Sequence, residues 1–196
     1  MSHAVACDRE EILRPRKQRL YGRCFLLYAR YYALVKTLYL GLGSNVGDRG
    51  ANLKRAVALL APEILVTEIS PVYETKPMYT IDQSNFLNGV CEATTELSAW
   101  QVFEKIKMIE KKMGEHEHNA PRVIDLDLLL YGDEIIDSPE LTIPHAGLRE
   151  RDFVLKPLCD ITSELREPIS GKTMCELWEA LPQESRSIVG LAHDVR

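Results

Sequence analysis

At 196 residues, 45% hydrophobic and 27% charged, the chain has the size and composition of one globular domain, far from a collagenous or disordered sequence. Its net charge of −5 excludes a polybasic binder of nucleic acid or anionic membrane, which needs surplus Lys and Arg, and favours a small-molecule partner. The five cysteines, Cys7, Cys24, Cys91, Cys159 and Cys175, are odd in number and form no C-x-x-C pair, which argues against a disulfide framework or zinc knuckle and for a reducing cytoplasm.

Residues 1–36 stand apart in charge: eight Lys/Arg against three Asp/Glu give +5, leaving −10 on residues 37–196. Within them Cys24 to Val35 is apolar apart from Arg30, but these twelve residues fall short of the roughly 20 that cross a bilayer. The run leads through Lys36 into a strand rather than to a cleavage site, and Asp8, Glu10 and Glu11 oppose an organelle presequence. The expectation is a dispensable extension over 1–36, with targeting or an interfacial helix as alternatives, and one domain over 37–196.

Thr37 to Leu42 reads as a buried strand, followed by a Gly43-Ser44-Asn45 turn and a helix capped by Asp48, with Leu53, Ala56, Val57 and Leu60 on its apolar face. Pro62 ends it. Ile64 to Tyr73 and Phe86 to Ala93 are rich in β-formers and flank a long loop. Ser98 and Gln101 form a capping box for a helix carrying Val102, Phe103, Ile106, Ile109 and Met113, stopped by Gly114. Val123 to Tyr131 is the next strand, Gly132-Asp133 signals a hairpin, and Glu134 to Ile136 is expected to pair back. A last helix carries Met174, Leu177, Trp178 and Leu181. The order predicts an α+β fold: a ferredoxin-like βαββαβ core, helices on one face of the sheet, with an extra C-terminal hairpin and helix.

The most informative stretch is Arg122-Val-Ile-Asp125-Leu-Asp127-Leu-Leu-Leu-Tyr131. Side chains alternate along a strand, so Asp125 and Asp127 share a face with Cα atoms about 6 to 7 Å apart. Two anions aimed at one pocket call for a cation, and oxygen-seeking Mg²⁺ is the usual one. The apolar Ile124, Leu126, Leu128 and Leu130 argue against a merely solvated face, because an unpaired buried carboxylate is costly. Arg122, His145, Arg149 and Arg151 lie near enough in sequence to meet a polyphosphate, and arginine's planar fork suits phosphate oxygens.

Three other signals are set aside. Gly41-x-Gly43-x-x-x-Gly47 has one residue too many for a dinucleotide fingerprint; Gly171-Lys172-Thr173 has Arg166 where a phosphate loop needs glycine; Glu115-His116-Glu117-His118 follows a helix-ending Gly114 and reads as a solvated loop.

The string His118-Asn-Ala-Pro121-Arg122-Val-Ile-Asp125-Leu-Asp127-Leu-Leu resembles the signature of the 6-hydroxymethyl-7,8-dihydropterin pyrophosphokinase family. Leu40-Gly-Leu-Gly-Ser-Asn45, Tyr73-Glu-Thr75-Lys-Pro77, Phe86-Leu-Asn88 and Leu141-Thr-Ile-Pro-His145 on to Arg151 and Phe153 are similar to it as well, over about residues 37–182. The resemblance implies transfer of the terminal diphosphate of ATP to the hydroxymethyl oxygen of a pterin, leaving AMP, with two Mg²⁺ ions. It implies Asp125 and Asp127 as metal ligands, Arg122, His145 and Arg151 as triphosphate-binding catalytic residues, and Glu110 near the nucleotide. For the pterin it implies Asn88 at the ring edge, Phe86 and Phe153 stacking, and Thr75 and Met78 in the substrate loop. Partners are then the two small molecules, with no nucleic acid or membrane, in a cytoplasmic monomer. Family arginines after Gly114 are replaced by Glu115 and Glu117, an aromatic by Asn119, and a Tyr by Ala146. The D-x-D pair by itself also suits a nucleotide-sugar glycosyltransferase, and the fold by itself a ferredoxin-like binding module.

Overall fold

A computed structural model describes residues 35–78, 83–114 and 120–192. The expectations for residues 1–34, for 79–82 of the long loop, and for Glu115, His116, Glu117, His118 and Asn119 lie outside the described residues.

The sheet is built around β1 (Lys36–Ser44), whose alternation puts Leu38, Leu40 and Leu42 on one face and Tyr39, Gly41 and Gly43 on the other. Helix α1 (Arg49–Leu60) starts where the Asp48 carboxylate accepts the Ala51 N–H at 3.0 Å, an N-cap that offsets the orphan donors of the first turn. Strands β2 (Ile64–Ile69) and β3 (Tyr73–Thr75) follow, then β4 (Phe86–Thr95), helix α2 (Ala99–Met113) and β5 (Asp125–Tyr131). The capping box at Ser98 and Gln101 opens α2. The strand order is β5-β1-β4-β3 with β2 also on β4, all antiparallel, which is the ferredoxin-like arrangement.

Four expectations are corrected. The single strand expected from Ile64 to Tyr73 is two strands, because Pro71 has no N–H for the ladder; Ser70 bridges the break, its N–H donating to the Val90 carbonyl and its hydroxyl accepting the Val90 N–H, both at 2.9 Å. Residues 134–136 do not pair back onto β5; instead β6 (Ile136–Asp137) pairs with β7 (Thr142–Ile143). Helices cover both faces of the sheet rather than one. On the second face α3 (Asp152–Ile161), which the sequence reading did not assign, and α4 (Met174–Glu179) pack Val154, Leu155, Leu158 and Met174 against Tyr39, Val90, Leu129 and Leu130. A register shift in β1 opposite Leu129 lets Leu129 and Leu130 both enter this second core, whereas strict alternation would send Leu130 to the first. Finally, Cys159 of α3 and Cys175 of α4 form a disulfide with Cα atoms 5.0 Å apart, so the cysteine count carries no argument about compartment. A further strand, β8 (Ile188–Leu191), extends the sheet beyond β3.

The first core, between the sheet and the α1/α2 pair, holds Leu38, Leu40, Leu60, Ile106, Ile124 and Leu126 with at most traces of exposure, each such side chain contributing about 1.5–3 kcal/mol. Among the described residues no helix is long and apolar enough to cross a membrane.

Candidate active site

The second sheet face is roofed by α3 and α4 at one end and open at the other. The open end is where the strands place their polar residues. Registers align Asn88 of β4, Gly43 of β1 and Asp125 of β5 in one row, with Gly41 and Asp127 paired in the next. The two glycines leave the floor bare between the polar side chains: a Cβ at Gly43 would stand 2.7 Å from Asn88 Oδ1 and 3.5 Å from Asp125 Cβ. Around this floor lies a cleft of about 630 Å³.

Every residue implied by the family resemblance lines that cleft: Thr75, Met78, Phe86, Asn88, Glu110, Arg122, Asp125, Asp127, His145, Arg151 and Phe153. Arg149 does not. Its guanidinium is held by the fully buried Glu167 at 2.9 Å, which also accepts the N–H groups of Ile169 and Ser170, so Arg149 belongs to the loop before α4 and not to the candidate phosphate contacts. Lys76, Lys107 and Lys111 also line the cleft and were not singled out from sequence. Helical spacing from Glu110 was the available signal for Lys107, one turn earlier on α2.

Each aspartate meets an arginine. Arg122 Nη1 is 3.2 Å from Asp125 Oδ1, Arg151 Nη1 is 3.4 Å from Asp127 Oδ2, and His145 Nε2 is 3.7 Å from Asp127 Oδ1. The Asp125 carboxyl is nevertheless pushed above its ordinary value, first by burial and then by the charge of Asp127, with Arg122 opposing. Both arginines keep a buried Nε–H without a partner, an unmet donor on each side of the carboxylate pair. Their guanidiniums lie over aromatic rings, Arg122 over Phe86 at 5.5 Å and Arg151 over Phe153 at 5.9 Å.

His145 offers the cleft an N–H donor. Burial lowers its pKa, outweighing Asp127, while Arg151 and Lys107 lower it further. Its Nδ1 accepts the Gly147 N–H at 3.1 Å, which places the proton of the neutral ring on Nε2, facing Asp127.

Supporting groups fix the lining. Asn45, buried beyond β1, accepts the Arg122 N–H on Oδ1 at 2.7 Å and donates its own N–H to the Arg122 carbonyl at 3.1 Å, clamping the residue before the aspartates. Glu110 accepts the Leu126 N–H at 2.8 Å on the free edge of β5 and holds Lys107 Nζ at 2.8 Å, so its carboxylate is committed to the strand that carries both aspartates. Asn88 donates to the Thr75 hydroxyl at 2.7 Å, leaving its Oδ1 toward Gly43.

Gly43→Ala is therefore expected to displace the Asn88 amide, since a Cβ there would stand 2.7 Å from Oδ1, and the move strains the bond to Thr75. Thermal melting and calorimetric ligand titration check this: the substitution should weaken whatever Asn88 reads by about tenfold, the loss of one good buried hydrogen bond, and an unchanged affinity would show that the floor has slack.

A pair of carboxylates, with no group of three His, Cys, Asp or Glu among the described residues, fits Mg²⁺ and not zinc, because Mg²⁺ takes one or two carboxylates and completes its shell with water and phosphate oxygens.

Residues 39–163 match the family model described as 7,8-dihydro-6-hydroxymethylpterin-pyrophosphokinase. The chain is 43% identical over 142 residues to the 2-amino-4-hydroxy-6-hydroxymethyldihydropteridine pyrophosphokinase of Aquifex aeolicus, covering 71% of this chain and 89% of that one. It is 41% identical over 153 residues to the folic acid synthesis protein fol1 of Schizosaccharomyces pombe, covering 76% of this chain and 21% of the yeast protein, so the chain spans about a fifth of that relative. The crystal structure of Plasmodium falciparum HPPK-DHPS, wild type with pteroate, superposes with a TM-score of 0.61 at 19% identity, over 74% of this chain and 42% of that one, and supports the fold.

Proposed function

We propose, since the chain belongs to the 7,8-dihydro-6-hydroxymethylpterin-pyrophosphokinase family, that its cleft transfers diphosphate from ATP to 6-hydroxymethyl-7,8-dihydropterin in folate synthesis. The hydroxymethyl oxygen attacks the β-phosphorus, the bond from that phosphorus to the α,β-bridging oxygen breaks, AMP departs, and the hydroxyl proton is lost to solvent. The observation that carries the reading is the convergence of two carboxylates, two arginines with unmet buried N–H donors and a buried amide in one cleft.

Asp125 and Asp127 are the ligands for Mg²⁺, with two ions expected, which when bound neutralises polyphosphate charge. The raised Asp125 carboxyl supports this, because a neighbouring cation would offset both the burial and the Asp127 charge that raise it. Arg122 and Arg151 offer their guanidinium N–H donors to phosphate oxygens, and the neutral His145 adds its Nε2–H. Phosphoryl transfer asks little covalent chemistry of the protein, so fixed donors around the moving charge are the main contribution. Glu110, implied near the nucleotide, acts on it by holding Leu126 and Lys107. A smaller cleft of about 330 Å³ shares Lys107, Asp127 and His145 with the first and is lined by Phe103, Leu128 and Ala146; it suits the nucleoside half of ATP. The pterin then takes the opposite end, with its edge on Asn88 and its face between Phe86 and Phe153, beside Thr75 and Met78. All of these residues fall within 37–196, the part proposed to carry the activity.

Formation of AMP from ATP only when the hydroxymethyl pterin is present tests the reaction; AMP-free turnover of a sugar nucleotide would favour the glycosyltransferase reading instead. Asn88→Ala tests the pterin end. Leaving a heterocycle edge unpaired costs roughly 1 to 3 kcal/mol, about ten- to a hundredfold in affinity. Calorimetry should show that loss for the pterin and little change for ATP, and an equal loss for both would make Asn88 a support of the strand.

A further inference from the structure

Asp152 stands between two cleft residues, Arg151 and Phe153, yet its own side chain is 1% exposed and does not line the cleft. Its Oδ2 accepts the backbone N–H groups of Ser187 and Ile188, each at 2.8 Å, and its Oδ1 accepts the Ser187 hydroxyl at 2.6 Å. The Ser187 carbonyl accepts the Lys76 N–H at 2.9 Å. Lys76 opens the segment that runs through Pro77 to Met78 along the cleft. One residue thus joins the first turn of α3 to the start of the substrate loop, using its N–H and hydroxyl on one side and its carbonyl on the other.

The two sides are not equally firm. Helix α3 is anchored by Val154, Leu155 and Leu158 in the second core. β8 has four residues with alternating exposure, and β3, which it flanks, has three. So short a ribbon, with Val189 and Leu191 about half exposed, draws little on its own packing, and the buried carboxylate of Asp152 adds three hydrogen bonds at its start.

We infer that Asp152, acting through Ser187, is a positioning residue that holds the substrate loop at the pterin end of the cleft. The inference rests on the pterin reading of that end. Loosening the tie frees residues 76–78 and leaves α3 in place, so it falls on the pterin and not on ATP: Arg151 and Asp127 sit on elements that the cores hold independently.

The full chain and three variants test this. In Asp152→Ala all three bonds are lost, and the pterin KM should rise about tenfold or more while kcat and the ATP KM stay within about threefold. In Asp152→Asn the amide oxygen can accept both backbone N–H groups and its NH₂ can donate to the Ser187 hydroxyl, which reverses its role; the pterin KM should stay within about threefold of the parent. Ser187→Ala loses only the hydroxyl bond, and a rise of about two- to fivefold is expected. Hydrogen exchange at the Lys76 and Met78 amides gives a readout independent of catalysis, faster in Asp152→Ala and Ser187→Ala than in the parent or Asp152→Asn, with α3 unchanged. Equal rises in both KM values, or unaltered exchange at Lys76 and Met78, overturn the inference. Should Asp152→Ala fail to fold, Ser187→Ala decides alone, and parental KM and exchange in it count against the tie. A parent chain that binds pterin nowhere refutes the reading of the cleft, and a parent that binds it while the variants bind equally well refutes only the positioning role.

Discussion

Asp127→Ala is expected to lower the single-turnover rate of AMP formation by about three orders of magnitude or more, while Tm shifts by less than about 4 °C. The carboxylate is half-buried and its partners are Arg151 and His145, so its removal leaves little packing undone. Its loss also removes the charge that, after burial, raises the Asp125 carboxyl, so Asp125 ionises more readily. Catalysis has no such compensation, because Asp125 alone would offer a divalent cation one carboxylate in place of two against a polyphosphate. Rapid-quench measurement of AMP beside a melting curve checks both halves. A near-parental rate in a folded variant would sink the metal assignment.

Arg151→Ala is expected to lower kcat by about a hundred- to a thousandfold, the loss for one fixed donor at developing charge. The guanidinium lies over Phe153 and against Gly147, where a Cβ would come within 2.5 Å of Nε, so the site accepts a flat group and nothing behind it. Arg151→Lys should recover little, since an ammonium offers a point charge in place of a planar fork and leaves the Phe153 face uncovered. Steady-state kinetics of the two variants decides the matter: full recovery by lysine would mean that charge suffices and the unmet Nε–H is incidental.

Legibility in sequence followed the range of the interaction responsible. The N-cap at Asp48, the capping box at Ser98 and the facing pair Asp125 and Asp127 depend on spacings of two or three residues, and all are present in the structure. Helix α3 escaped notice because Pro157 lies inside it and reads as a breaker; packing of Val154, Leu155 and Leu158 against the sheet overrides that local preference. β8 has too few residues to carry a period, and forms because Asp152 and the edge of β3 receive it. Arg149 looked like its neighbour Arg151, and only the buried Glu167 separates their roles.

By itself the sequence determined most elements of the ferredoxin-like core and, outside the register shift at Leu129 and Leu130, which side chains of β1 and β5 share a face, because backbone geometry makes these local consequences of residue order. Tertiary structure alone decided that Gly43 lies between Asn88 and Asp125, that each aspartate meets its own arginine, that His145 is a neutral donor and that a second pair of helices roofs the sheet. Each of those depends on which strands become neighbours and on how much water is removed around the charges. Both are properties of the assembled chain: desolvation and strand pairing act between residues far apart in sequence, where no local period records them.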